Sequence, residues 1–272
     1  MDIQNYLQGM AVQHGPSGHE AEVSGWLKAL FEPLCDSVTV DPLYNVIALK
    51  KATAPTKDGS PAPRVMLAAH QDEIALMVAD ILPDGSLRMG QVGGVDPRIL
   101  PASTVTVHAT GGRDGTVKLL GVVGSTPPHL LSAADREHNY KREDLFVDLG
   151  LPVDKVRAQV RIGDLITLHG PATPLLNDRC AAKTMDDRAS VAAMLVAAEL
   201  LSQRSVPAET YFVSTTQEEI GSVGAKSAAF RLKPDLAIVI DVTHGEGPGT
   251  GKWEAYPVNK VTIAHGPNIQ PK

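Results

Sequence analysis

The chain has 272 residues, of which 43% are hydrophobic, and its 25 basic and 31 acidic side chains give a formal net charge of −6. This composition excludes an intrinsically disordered chain and gives no overall attraction to nucleic acid or anionic lipid. The length predicts two hydrophobic cores rather than one. Cys35 and Cys180 are the only cysteines and have no CxxC spacing, so neither a disulfide framework nor a cysteine-based zinc site is expected.

The N-terminal sequence lacks the basic start and apolar core of a signal peptide, and no run of about 18 apolar residues occurs. The sequence therefore predicts a cytoplasmic protein with neither a membrane nor a nucleic acid partner.

The first 63 residues predict two helices, two short strands and a loop. Asp2 can cap the first helix, whose apolar positions recur at helical spacing before the turn residues Gly15 to Gly18. The later segments are a helix over 20–31, strands over 37–40 and 45–49, and an exposed loop over 51–63.

Three short apolar runs predict strands that are covered on both faces: 65–69, 211–215 and 236–240. A helix with one apolar stripe is predicted over 187–201. Because strands and helices alternate, this part of the chain predicts an α/β fold.

The stretch 77–171 has a different pattern, in which glycine-rich turns separate short alternating strands. It predicts a small β-barrel-like domain, inserted into an α/β domain that is formed by 1–76 and 172–272. The predicted fold class is α/β, with a mixed, mostly parallel sheet flanked by helices and an inserted β-barrel-like domain.

Each of the three apolar strands predicted over 65–69, 211–215 and 236–240 ends in side chains that can bind metal. The first is followed by His70 and Asp72, the second by Glu218 and Glu219, and the third by Asp241. Ligands of open α/β sheets lie just beyond the carboxyl ends of the strands, so these groups are expected to converge.

A further acidic pair, Asp186 and Asp187, opens the predicted helix over 187–201, where the helix dipole favours carboxylates. A single carboxylate in such a position usually caps a helix or fills a turn. The coincidence of several groups at one sheet edge instead predicts a metal centre.

The spacing and charge of these residues favour a two-metal site. His70 and Asp72 are two residues apart, so on a strand they point to one side, and Asp72 can hold the imidazole while His70 binds metal. Together with a bridging hydroxide, the carboxylates Asp186, Glu219 and Asp241 balance the charge of two divalent cations.

A pair of cations can activate a bridging water, and the reaction then needs a general base. Glu218, next to the predicted ligand Glu219, is placed for that role. The alternative is that Glu218 is a solvated loop acid.

Ordered sequence blocks of distinctive composition run through the whole chain. They include PSGHE from Pro16, AHQDEIALMV from Ala69, KTMDDRASV from Lys183, QEEIGSVGA from Gln217 and KPDLAIVIDVTHG from Lys233. Together they resemble the family of tetrahedral, dinuclear metallo-aminopeptidases, which includes glutamyl and deblocking aminopeptidases and proteins sometimes described as endoglucanases.

The resemblance implies a set of metal ligands. It places His70, Asp186 and Asp241 on one metal, and Asp186 and Glu219 on the other together with a histidine near the family's C-terminus. The implied metals are zinc, cobalt or manganese, two ions per subunit.

The resemblance also implies three further roles. Glu218 is implied to be the general base, Asp72 the residue that orients His70, and the bond between Asp186 and Asp187 a cis peptide.

Assembly and chain length follow from the same resemblance. The inserted β domain is implied to form dimers, which stack into a hollow dodecamer that admits short peptides. The family's sequence continues to a further metal-binding histidine, so the chain is expected to be truncated after Lys272. His265, which follows a strand-like segment over 261–264, is expected to be a poor substitute for that ligand. His244, three residues beyond Asp241, is a better substitute but is expected to be a loop residue.

The predicted function is a metal-dependent aminopeptidase that removes the N-terminal residue from short peptides, through a metal-bridging water activated by Glu218. Two alternatives stay open: a deacylase of N-acyl amino acids that uses the same metals, and a truncated, inactive assembly protein.

Overall fold

A computed structural model of the protein describes residues 3–112, 115–133, 137–177 and 179–243, and the backbone of 261–262 and 266–267. The helices and strands within these ranges are, in chain order, α1 (Ile3–Ala11), α2 (Ala21–Phe31), β1 (Ser37–Val40), β2 (Val46–Lys50), β3 (Arg64–His70), β4 (Ala75–Ile81), β5 (Leu87–Val92), β6 (Thr104–Ala109), β7 (Val117–Ser125), β8 (Leu145–Asp148), α3 (Val153–Gln159), β9 (Leu165–Leu168), β10 (Thr173–Leu175), β11 (Arg179–Ala181), α4 (Met185–Ser202), β12 (Glu209–Thr215), α5 (Val223–Leu232), β13 (Leu236–Val239), β14 (Val261–Thr262) and β15 (Gly266–Pro267).

The α/β part is built on a five-stranded sheet with the order β1-β2-β12-β3-β13. Strands β12, β3 and β13 are parallel, whereas β2 runs antiparallel to both β1 and β12. The mixed sheet with flanking helices confirms the predicted α/β fold class.

The two faces of this sheet bury different helices, because successive side chains of a strand point to opposite sides. Helices α1, α2 and α4 pack on the face that carries Ala48, Ala69 and Phe212. The other face carries Met66 and Val213 and packs against α5. The sheet is therefore the middle layer of a three-layer α/β sandwich.

Strands β4 to β9 close into a barrel with the order β4-β5-β8-β7-β6-β9. Its interior is filled by buried aliphatic side chains, among them Leu87, Leu145 and Ile166. The closed barrel agrees with the predicted β-barrel-like insertion. The domain boundaries at 77–171 remain our proposal, as β4 begins at Ala75 and β9 ends at Leu168.

The barrel contacts the α/β part through a pair of histidines. The rings of His14, between α1 and α2, and His108, on β6, stack with centroids 3.6 Å apart. Burial, helped by the positive charge of Lys118, lowers the pKa of His14 to about 3 and that of His108 to about 4. Both imidazoles are thus neutral at physiological pH and can pack face to face.

Strand β13 differs from its prediction. Its sequence predicts a strand covered on both faces, but Leu236 and Val239 are 55% and 76% exposed. Within the described residues, β3 is the only strand that pairs with β13, which therefore lies at a sheet edge. Among the described residues the predicted cover on both faces is not met, because an apolar run reports hydrophobicity and not what packs on each face.

We expect the α4 packing to dominate the stability of the α/β part. Leu195 on α4 is fully buried, so Leu195→Ala should lower the free energy of unfolding by about 2–5 kcal/mol. The matched control Leu176→Ala, at a side chain that is 86% exposed, should change it by less than about 0.5 kcal/mol. Urea denaturation followed by circular dichroism measures both, and equal losses would contradict this description of the core.

Candidate metal centre

The parallel strands bring the predicted ligands to one edge of the sheet. In the register of β12 and β3, Thr215 pairs with His70, so both strands end at the same level. Glu219 follows the end of β12, and Asp241 follows the end of β13. Helix α4 packs against β3 and places Asp186 at this edge.

The first group of candidate ligands consists of His70, Asp186 and Glu219. Their ligand atoms lie within 4.8 Å of one another, and Nε2 of His70 is 3.0 Å from Oδ1 of Asp186. The His70 side chain is buried, whereas that of Asp186 is 62% exposed. The group is thus anchored in the protein interior by His70 and open to solvent at Asp186.

A second group consists of His70, Asp187 and Asp241, also with ligand atoms within 4.8 Å of one another. Asp187 was not among the ligands predicted from the sequence. The backbone at Asp186 and Asp187 is not helical, with ψ angles of 108° and 28°, so both side chains reach His70. In this geometry His70, rather than Asp186, is the residue common to the two groups.

Asp72 supports the site from its buried side. Its carboxylate accepts a 2.6 Å hydrogen bond from the Ser17 hydroxyl, and bonds of 3.1 and 3.2 Å from the backbone N–H groups of Glu218 and Glu219. Its Oδ1 lies 3.3 Å from Nδ1 of His70, as an ion pair rather than an aligned hydrogen bond. One buried carboxylate thus connects β3, the loop after β12 and the loop after α1.

The electrostatics indicate a shortage of positive charge. Burial, followed by the charge of Asp186, raises the pKa of Glu219 to about 7. Burial likewise raises the pKa of Asp187 to about 7. Burial opposes a charge on His70, but the Asp72 carboxylate outweighs it and raises the pKa of His70 to about 9. Without another cation, the cluster retains protons at neutral pH.

The donor set fits divalent cations. Both carboxylate oxygens of Asp187 are buried and have no hydrogen-bond partner among the described residues. An unpaired buried carboxylate is costly, and a cation between Asp187 and His70 would remove that cost. Mixed imidazole and carboxylate ligands suit zinc, cobalt and manganese.

The other features implied by the resemblance have different outcomes. The peptide bond between Asp186 and Asp187 is cis. Glu218 is half-buried, and the Ser222 hydroxyl donates a 3.3 Å hydrogen bond to its Oε1. His244 and His265 lie outside the described residues. The separate roles of the ligands and of Glu218 stay predictions.

A family model described as M42 glutamyl aminopeptidase matches residues 51–270. The chain belongs to this family. Membership makes it a hydrolase of the aminopeptidase class, as the sequence blocks implied. Among the described helices, none is long and apolar enough to cross a bilayer.

Individual relatives resemble the chain over most of its length. It is 34% identical to a lysyl aminopeptidase of Pyrococcus furiosus, over 95% of this chain and 72% of the relative. An aminopeptidase structure from the archaeon Desulfurococcus kamchatkensis is 33% identical with a TM-score of 0.81, over 93% of this chain and 66% of that one.

A third relative is the TET1 peptidase of Pyrococcus horikoshii, described as assembling into a tetrahedron or a large octahedral shell. It is 28% identical with a TM-score of 0.76, and the match covers 92% of this chain and 72% of that one. This chain therefore spans about 70% of the length of these relatives.

The pKa values predict how cation binding depends on pH. A cation needs Asp187 and Glu219 ionised and His70 neutral. With pKa values of about 7, the two carboxyl groups are largely protonated at pH 6 and largely ionised at pH 8, whereas His70, with a pKa of about 9, has to release a proton to the solvent throughout this range. Affinity for Co²⁺ should therefore rise by at least about tenfold from pH 6 to pH 8, with proton release on binding. Isothermal titration calorimetry in buffers of different ionisation enthalpy measures both quantities.

Matched histidine variants control for non-specific binding. His70→Ala should weaken Co²⁺ binding by at least about tenfold, while the exposed His129→Ala should leave it unchanged. Equal affinity in all three proteins would mean that the cation binds elsewhere.

Proposed function

We propose that the protein removes the N-terminal residue from short peptides in a metal-dependent reaction, with Glu218 as the general base. The observation that carries the proposal is the approach of His70, Asp186 and Glu219 to within 4.8 Å in a chain of an aminopeptidase family. The second group adds the carboxylates of Asp187 and Asp241 at the same edge. Because one nitrogen of His70 binds one ion, a second ion would depend on these carboxylates, and two ions per chain remain part of the proposal. Zinc, cobalt and manganese remain the proposed metals.

Divalent ions held by these two groups would polarise the scissile carbonyl and lower the pKa of the attacking water. The protein's own residues position these ligands. His70 is held by the buried Asp72, and its Nε2 is directed to the cluster, 3.0 Å from Asp186. Asp72 also fixes the backbone of Glu219 through its N–H group.

In the proposed reaction Glu218 moves protons. The bond from its N–H group to Asp72 fixes its backbone, and the Ser222 hydroxyl orients its Oε1. A half-buried carboxylate at this edge can accept a proton from water and return it to the leaving amine. The side chain therefore serves both halves of peptide hydrolysis.

Glu218→Gln should reduce kcat roughly 100-fold or more, because the amide cannot accept the proton. Release of p-nitroaniline from Glu-, Lys- and Leu-p-nitroanilide in the presence of Co²⁺ measures this loss. The matched control is Glu209→Gln, at the opposite end of β12, which should retain wild-type turnover.

Three results would contradict the proposal. Undiminished turnover by Glu218→Gln would exclude Glu218 as the base. Preference for N-acetylated substrates would favour the deacylase. Absence of both turnover and bound metal, determined by mass spectrometry of the purified protein, would favour the inactive assembly protein.

We also propose that the barrel mediates self-association, first into dimers and then into a dodecamer. The outer face of β7 carries Leu120 and Val122, which are 58% and 49% exposed. Exposed aliphatic neighbours on one strand face are typical of a contact surface. The reported assembly of the Pyrococcus horikoshii relative supports a second copy of this chain as the partner.

Leu120→Asp should shift the assembly towards the monomer, because a buried contact would then hold an unpaired charge. Light scattering coupled to size exclusion measures the mass. Phe230→Asp on α5, also at an exposed apolar side chain, should leave the mass unchanged. If both variants keep the wild-type mass, the outer face of β7 is not the contact.

We retain the expectation of a cytoplasmic location, for which the composition and the scattered cysteines are the support.

A further inference from the structure

The loop that carries Glu218 is held by side chains from outside it. Four consecutive backbone N–H groups, from Thr216 to Glu219, each donate to a distant side chain. The acceptors are Oδ1 of Asn45 at 3.0 Å, Oε1 of Glu20 at 3.0 Å, and the two oxygens of Asp72 at 3.1 and 3.2 Å, in that order. Within the described part of the chain the loop has no strand partner at these positions, so these bonds define its path.

Glu20 is the least expected of these acceptors. It lies at the N-cap position of α2, yet its side chain makes no capping bond to that helix. Its Oε1 instead accepts bonds from the N–H groups of Gly18, at 2.8 Å, and Gln217. The side chain is fully buried, and Oε2 has no hydrogen-bond partner among the described residues.

The residue that Glu20 holds has an unusual backbone. Gln217 has a φ of 56°, in the left-handed region that non-glycine residues rarely adopt. Such a conformation persists only when its surroundings enforce it. Gln217 directly precedes Glu218, so a change in its backbone would redirect the Glu218 side chain.

Glu20 is itself fixed in place. Its carbonyl oxygen accepts bonds from the N–H group and the hydroxyl of Ser24 in the first turn of α2. In the same loop, Ser17 donates to Asp72. The segment 16–20 therefore supports both halves of the loop that carries Glu218: Glu20 directly, by accepting from Gln217, and Ser17 indirectly, by donating to Asp72.

We propose that Glu20 is a positioning residue for the reaction: its carboxylate oxygen fixes Gln217 in the left-handed conformation and thereby aims Glu218 at the substrate. This inference rests on the proposed function only for its effect on turnover. The effect on the loop backbone does not depend on any activity.

Two substitutions separate the acceptor oxygen from the charge. Glu20→Ala removes the acceptor, whereas Glu20→Gln keeps an oxygen of the same reach. We expect Glu20→Ala to lower kcat on the order of 10- to 100-fold, because the base is misdirected, and to change KM by less than about threefold. Glu20→Gln should restore kcat to nearly the wild-type value.

Hydrogen exchange supplies the readout without activity. In metal-free protein, the amides of 216–219 should exchange at least about tenfold faster in Glu20→Ala than in wild type, and at the wild-type rate in Glu20→Gln. Amides of the barrel should exchange equally in all three proteins, which distinguishes a local release from general destabilisation. If Glu20→Ala does not fold, Glu20→Asp, whose oxygen is one methylene shorter, is tested in the same way.

The proposal is overturned if removing or shortening the acceptor changes neither kcat nor the exchange of 216–219, or if Glu20→Gln is as impaired as Glu20→Ala. A wild-type protein without aminopeptidase activity would instead overturn the proposed function. In that case the exchange measurement still decides whether Glu20 holds Gln217.

Discussion

The parallel pairing of β12 and β13 with β3 is the constraint on which the rest of the candidate centre depends. Because parallel strands end at the same sheet edge, the pairing of Thr215 with His70 sets the level at which the side chains emerge. Asp72 then accepts hydrogen bonds from the N–H groups of Glu218 and Glu219 in the loop after β12. A shift of the strand register by one residue would move these N–H groups out of reach of Asp72. Strand pairing and ligand geometry are therefore one structural property.

The layer beneath the centre is unusually polar for a core. Arg188 on α4 is fully buried, and its guanidinium donates to the carbonyl oxygens of Met10, Gln13 and Gln71 and contacts the carboxylate of Glu73. A buried charge is tolerated only when its donors are matched in this way. The network joins the end of α1 to the strand end that carries His70, so it resists relative movement of the elements around the ligands.

The barrel is inserted at the edge of the centre rather than remote from it. It begins shortly after Asp72, and its Gly93 has a φ of 77° and lies against Glu219. A Cβ added at Gly93 would be 2.9 Å from the Ile74 side chain and 3.2 Å from Cβ of Glu219, so a larger residue would crowd that candidate ligand. The loop after β5 thus forms part of the wall around the site. A change in the position of the barrel would therefore displace Gly93 against Glu219.

The sequence by itself determined the local elements, the inserted β region and the strand-end residues, because hydrophobic periodicity and turn chemistry are properties of neighbouring residues. It also indicated that His70, Glu219 and Asp241 would meet, since the carboxyl ends of parallel strands lie at one edge of a sheet. Only the tertiary structure decided that Asp187 joins His70 and Asp241, that Glu20 holds Gln217, and that β13 pairs with one neighbour alone among the described strands. Those outcomes depend on contacts between residues far apart in the sequence, and a local pattern of residues does not specify which distant segment will pack against it.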